Sequence, residues 1–349
     1  MLHALCPVRL PGRRLTVTPR RHPPDLCRRR LLQACLGLPL AGLSGCSRPL
    51  PPVRVAGIVW VGYEPLFLAR ELGHYNQSRL RLVESPSNTA SLMSLATGDV
   101  EAASLTLDEF LTAREGGLDV RVILVFDESA GADVVMARPQ IRALTDLRGK
   151  RIGVEHTAVG ALMLAKLQEA AGLAADEVVK VALTSERHLA AYRAGEIDAV
   201  VSFEPYATQL AQAGAHRLLD SSAFPGLIVD VLAARSEALQ AAPDQFRQLC
   251  AGYFRALAHL KHDPTEASKL MAQRMGIQSA EVLEALEGVR MLDLADNHAW
   301  LNAPRPRLLE VARSLADLML TNRLLMRRPK LDGLIDARHL PPIGRSETA

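Results

Sequence analysis

The sequence predicts an α/β protein of two equivalent lobes, each a βαβαβ unit, followed by a set of C-terminal helices. Three observations carry that expectation. The phrase "LATGDVEAASL" (residues 95–105) returns as "YRAGEIDAVVS" (residues 192–202), each closing a helix-like run on glycine before an acid, an aliphatic, an acid and small apolar residues. Gly98 and Gly195 lie 97 positions apart, and the same offset carries Arg54-Val55 onto Arg151-Ile152 without a gap. Similarity at a fixed period is the usual signature of structural repetition. Strand-like and short helical runs also alternate in both halves, which implies parallel strands joined by right-handed crossovers.

The elements follow in order. In the first half "RVAGIV" from Arg54 leads to the helix "EPLFLARELG", then "RLRLVE", the helix "TASLMSLATG" and the strand "VEAASL". In the second, "KRIGVE" leads to "VGALMLAKLQEAAG", "VVKVAL", "RHLAAYRAG" and "IDAVVSF". Val159, Leu162, Met163, Leu167 and Ala170 recur at helical spacing, and glycine closes each helix. The runs "VRVILVF" (120–126) and "LIVDVLAAR" (227–235) join the lobes, and paired strands there act as a hinge. From Glu237 onward the text turns helical and should complete the first lobe. Lobe one is thus expected over 53–126 plus 232–326, lobe two over 127–231, with a loose tail over 327–349.

The amino-terminal text is of another kind. Residues 1–45 hold eight arginines and one acid, Asp25, so the formal +3 of the chain conceals a body of charge −4. A mildly acidic body with 4% aromatic residues argues against nucleic acid or anionic lipid as partner. Arg28-Arg29-Arg30 precedes a short apolar run ending in Leu43-Ser44-Gly45-Cys46, the order of a lipoprotein signal peptide, with a weaker twin-arginine flavour. Residues 1–45 are therefore expected to be a signal, Cys46 the lipidated residue, and 46–52 a tether. Cys250 is the one cysteine after Cys46, which leaves no internal disulfide or cysteine-based metal site in the body. No cofactor or metal is expected.

In open α/β sheets ligands bind beyond the carboxyl ends of the strands, near helix N-termini. Six loops fit: 60–65, 85–91 and 106–109 in the first half, and 155–160, 184–188 and 202–206 in the second. They supply the candidates. Trp60 and Tyr63 could stack on a ligand or anchor the first helix. Glu64 could bind or simply cap that helix, as could Ser87, Asn88, Thr106 and Asp108 at theirs. Asp127, beside the expected hinge, could reach the cleft along with Ser129 and Asp133. Glu155, His156 and Thr157 follow a strand directly, and Phe203-Glu204 close another, Glu204-Pro205 echoing Glu64-Pro65.

The stretches "VWVGYEPLFLARELGHY", "SLATGDVEAASLTLDEFL", "DLRGKRIGVEHTAVGALML" and "GEIDAVVSFEPYATQL" resemble bacterial ABC-importer substrate-binding proteins of the nitrate/sulfonate/taurine and thiamine-pyrimidine-precursor group. The resemblance spans residues 53–235. It implies a two-lobed Venus-flytrap fold of the type II periplasmic-binding-protein kind, a monomer on the periplasmic side of the cell envelope, lipid-anchored, handing a small-molecule solute to permease and ATPase subunits. It leaves the solute open. Glu64, Asp108, Glu155 and Glu204 against a single loop cation, Arg187, disfavour a bare sulfonate or nitrate and favour an amine-bearing or pyrimidine-like heterocyclic compound. Sulfonate, taurine or nitrate import is the alternative, and a lipid-anchored ligand sensor another. Pyrimidine-synthase relatives carry a cysteine-rich motif absent here, so no enzyme is expected.

Overall fold

The computed structural model describes residues 51–155 and 158–343. The signal, Cys46, His156, Thr157 and the last six residues lie outside the described residues. The two halves of the repeat form two mixed sheets. In the first, β1 (Val53–Gly57) lies between and parallel to β2 (Leu80–Glu84) and β3 (Ala102–Thr106). In the second, β6 (Arg151–Val154) lies between and parallel to β7 (Val179–Ala182) and β8 (Ala199–Phe203). The offset of the repeat survives at the level of register. Val55 pairs with Ala102 as Ile152 pairs with Ala199, and Ala56 with Ala103 as Gly153 with Val200.

The amino ends of these strands explain why the phrase is written twice. The Arg54 backbone N–H donates to Glu101 at 2.6 Å and its guanidinium at 2.7 Å; Arg151 does the same to Asp198 at 2.9 and 2.8 Å. The acid just before the third strand thus clamps the first strand in each half. The glycine before it, Gly98 at φ 81° and Gly195 at φ 74°, makes the left-handed turn out of the preceding helix, where a Cβ would be strained.

Neither sheet is purely parallel. β4 (Val120–Ser129) and β10 (Val229–Arg235) pair antiparallel, and β10 runs antiparallel to β3. β5 (Asp133–Ala137) runs antiparallel to both β8 and β9 (His216–Asp220), and β11 (Val289–Met291) closes the edge on β4. Of these, β4 leads into β5 after Ser129 and β9 into β10 after Asp220, carrying the chain from one sheet to the other and back.

Helices Glu64–Glu71, Asn88–Thr97 and Leu107–Glu115 serve the first half, and Ala158–Ala171, His188–Ala194 and Tyr206–Gln212 the second. The helices Pro243–His262, Pro264–Met275, Leu294–Leu301 and Arg307–Thr321 place Phe246, Tyr253, Met271, Trp300 and Leu315 in one apolar core with Val53 and Phe126 of the first sheet. Phe126 and Tyr253, both fully buried, meet at 5.3 Å between ring centroids; burying each ring is worth roughly 1.5–3 kcal/mol. The segment after Arg327, expected to be loose, is docked as far as Leu340. Val122 donates to the Leu334 carbonyl and accepts from the Asp336 N–H, both at 2.9 Å, and Leu334 and Leu340 are buried. Among the described residues no helix is long and apolar enough to cross a membrane.

Candidate binding cleft between the two sheets

The strand-end loops of the two halves meet. Ile58, Trp60 and Tyr63 after β1, Asn88 after β2 and Thr106 at the end of β3 share a small cavity with Val159 and Phe203 of the second half. A second cavity shares Asp133, Val159 and Phe203 with the first and extends to Glu155, His188 and Ser202. Each has a volume of about 10 Å³, close to the room one water needs. The halves touch across this space: the Trp60 and Phe203 rings meet edge to face at 5.7 Å, and the Asn88 backbone N–H donates to the Glu155 carboxylate. An organic molecule can enter only if the two halves part.

The hinge strands form the floor. Asp127 on β4 and Asp230 on β10 face each other in register and hydrogen-bond side chain to side chain. Trp60 Nε1 donates to Asp127 Oδ2 at 3.4 Å, and the Tyr63 hydroxyl donates to Asp230. Burial pushes both carboxyls up, Asp127 to about 8, and Asp127 raises Asp230 further, so the pair holds a proton at neutral pH. Burial also lifts Asp133 and Glu155 to about 7 and Asp108 to about 6. His188 is driven down to about 4 by burial and is neutral at pH 7, its Nδ1 lying 3.1 Å from Ser202 Oγ. Among the described residues no lysine or arginine lines either cavity. Arg187, the basic residue of the loops, pairs with Glu196 at 3.7 Å and is largely exposed.

The expected site residues divide into two groups. Trp60, Tyr63, Asn88, Thr106, Glu155 and Phe203 line the cavities, and Asp127 lies beneath them through Trp60 and Asp230. Of the others, Ser87, Glu204 and Glu64 have structural partners, whereas Asp108 is buried with its Oδ2 unpartnered. Ser87 accepts from the Ala90 N–H at 3.1 Å, capping its helix, and Asp108 sits in the first turn of the helix after β3 beside Glu109. Glu204 accepts from the Thr208 N–H at 3.1 Å and hydroxyl at 2.7 Å. Glu64 is paired with Arg274, whose guanidinium also reaches Glu84 at 3.0 Å and the Ile58 carbonyl at 3.1 Å and lies over the Phe67 ring. Burial raises Glu64 to about 7 while Arg274 pulls the other way.

Sequence reasoning gave Asp133 as able to reach the cleft but did not select Asp230, His188, Ser202 or Met163 as ligand residues. Asp230 had a signal, a single acid inside the apolar run "LIVDVLAAR", since a buried charge in a strand requires a partner or a use. Among the described residues no group of three or more His, Cys, Asp or Glu is placed to hold a metal ion.

A family model described as NMT1/THI5 like matches residues 60–267. A protein of Escherichia coli (strain K12) named for binding aliphatic sulfonates is 24% identical over 261 residues, covering 73% of this chain and 78% of its own. Among solved structures, the alkanesulfonate-binding protein SsuA from Xanthomonas axonopodis pv. citri, bound to MOPS, is similar at TM-score 0.69 and 19% identity, over 83% of this chain and 99% of that one. The desulfurization enzyme DSZB is similar at TM-score 0.60 and 18% identity, over 83% of this chain and 98% of that one. The structural likenesses establish the two-lobed fold of periplasmic binding proteins.

Proposed function

This chain belongs to the NMT1/THI5-like family, and from that premise we propose that it is the solute-binding component of an ABC importer. It captures a small organic molecule between its halves and delivers it to a permease and ATPase, working as a monomer on the periplasmic side with Cys46 as its lipid anchor. The observation that carries the reading is the meeting of strand-end loops from both sheets around small shared cavities above a two-stranded hinge. Such a hinge lets a few dihedral changes open and shut the cleft.

Because the same fold serves DSZB, fold alone does not decide between binding and catalysis. The side chains favour binding. The Cys250 thiol is fully buried and pushed up to about 12, far from a reactive thiolate. His188 faces Ser202, but its Nε2 has no hydrogen-bond partner to orient it, and a group titrating near 4 is a weak base at pH 7. The solute is amine-bearing or a nitrogen heterocycle, supported by acidic loops with no lining cation. Sulfonate is the second reading, favoured by the names of the E. coli and Xanthomonas relatives.

The test is mass spectrometry of the molecule retained when the full chain is purified without denaturation, followed by X-ray scattering on rebinding. One organic solute per chain and a smaller radius on rebinding are expected. A retained sulfonate would keep the importer reading and change the ligand. A chain that neither retains nor rebinds any solute would overturn the reading.

A further inference from the structure

Resting on that solute-binding reading, we propose that Asp133 is the counter-ion for a positively charged group of the solute, so that the cleft takes a protonated amine, amidinium or guanidinium in preference to an anion. Asp133 opens β5, immediately after the chain crosses the hinge, and pairs in register with Phe203. Among the described residues it is the one carboxylate that lines both cavities, and it is 6% exposed. The Ser129 hydroxyl bonds one side of its carboxyl group; Oδ2 has no partner.

Its neighbours share the same deficit. Glu155 Oε1 from the second half and Asp230 Oδ2 from the hinge are likewise buried without a donor. A carboxylate oxygen can only accept, and a buried acceptor left unmade costs about 1–3 kcal/mol. Asp133 and Glu155, once ionised around these small cavities, call for a guest carrying several N–H donors. A sulfonate brings only further acceptors.

Acids just outside the cleft are treated differently. Glu64 has Arg274, Glu128 has Arg290 and Arg307, and Glu204 has Arg217 at 3.8 Å. The charged groups around Asp133 are Asp108, the Asp127–Asp230 pair and Glu155, with His188 neutral. Among the described residues no cation pairs with Asp133, so the positive partner comes with the solute. Asp230 is already engaged by Tyr63 and Asp127, whereas Asp133 and Glu155 each carry one bond, from the Ser129 hydroxyl and the Asn88 N–H, and of those two only Asp133 reaches both cavities.

The experiment uses the full chain and a fixed panel: benzamidine, agmatine and 4-aminopyridine as cations, benzamide as a neutral isostere and ethanesulfonate as an anion, measured by thermal shift and titration calorimetry at pH 6 and pH 8. A cation favours ionised carboxyls, so its binding should tighten as pH rises through the range where Asp133 and Glu155 titrate, with protons released to the buffer; an anion should show the opposite trend. Cations are expected to raise Tm, and Asp133→Asn to weaken them roughly tenfold to a hundredfold, the worth of a hydrogen bond to a charged group. Asp133→Asn should weaken benzamide far less than the cations and leave the solute-free Tm no lower than wild type. The pH trend on the unmodified protein tests the same claim should the variant fold poorly. Ethanesulfonate bound more tightly than the cations at both pH values, or cation binding indifferent to Asp133→Asn, overturns the counter-ion and leaves solute binding standing. Absence of cation binding at both pH values also overturns it; only failure of every probe counts against solute binding itself.

Discussion

Arg54–Glu101 in the first half and Arg151–Asp198 in the second are one clamp, built with the same donors at the same strand positions, whereas the opposite ends of those strands carry unlike residues. Beyond β1 the first half offers Trp60 and Tyr63; beyond β6 the second offers Glu155, with His188 after β7. The repeat persists where strand spacing must be kept and diverges where a guest is touched. The acids differ as well. Clamp acids are partly exposed and paired with guanidinium, while cleft acids are buried and unpaired. Held low by Arg151, Asp198 adds stability that is present above its ordinary pKa and lost as pH falls. Asp127, Asp133 and Glu155 have folded pKa values raised to about 8, 7 and 7, so their contribution has the opposite sign.

The strongest test of that contrast is pH. Stability from the cleft acids is full below their unfolded pKa near 4 and is lost as pH rises through 7 to 8, at about 1.4 kcal/mol per pH unit for each titrating group. Urea midpoints between pH 5 and 8 should therefore fall, and Asp127→Asn should remove one group's share of the slope; a flat profile would mean these acids are not desolvated. Gly62→Ala comes next. A Cβ there would lie 2.0 Å from Asp127 Oδ2 and 2.5 Å from Trp60 Nε1, and overpacking of this kind costs about 3 kcal/mol, readable as a lowered urea midpoint at pH 6. Tyr63→Phe strips Asp230 of its hydroxyl donor and should cost about 2 kcal/mol, measured the same way. The smallest effect belongs to the clamps. Arg54→Ala and Arg151→Ala should each cost only about 0.5–1 kcal/mol, because both arginines are more than a third exposed. The two losses should match within error; a twofold difference would show that the clamps are not equivalent.

Much of the architecture was legible because its signals are local. Helical spacing from Val159 to Ala170, glycines at helix ends and a constant offset each depend on residues a few positions apart, and the parallel strands they predict are present. The helix Leu107–Glu115 and the strands β5, β9 and β11 were not read as elements, because "LDEFLTARE" begins inside a loop assignment and the three strands lie outside the repeated βαβαβ phrase. Half of the site was visible for the same local reason, since strand-end loops are where side chains converge: Trp60, Tyr63, Asn88, Thr106, Glu155 and Phe203 needed only their place after a strand.

By itself, then, the sequence determined that two α/β units exist, where their strands end and that acids gather there. Tertiary structure alone decided which acids are neutralised. Glu64 finds Arg274 across 210 positions of chain, Asp230 faces Asp127 across the hinge, Asp133 turns into both cavities, and Leu334 docks a tail that reads as loose. Local pattern records what each residue prefers among its near neighbours. Whether a carboxylate is paired, protonated or left for a guest depends on what sheet closure brings within a hydrogen bond of it, and that partner is written elsewhere in the chain.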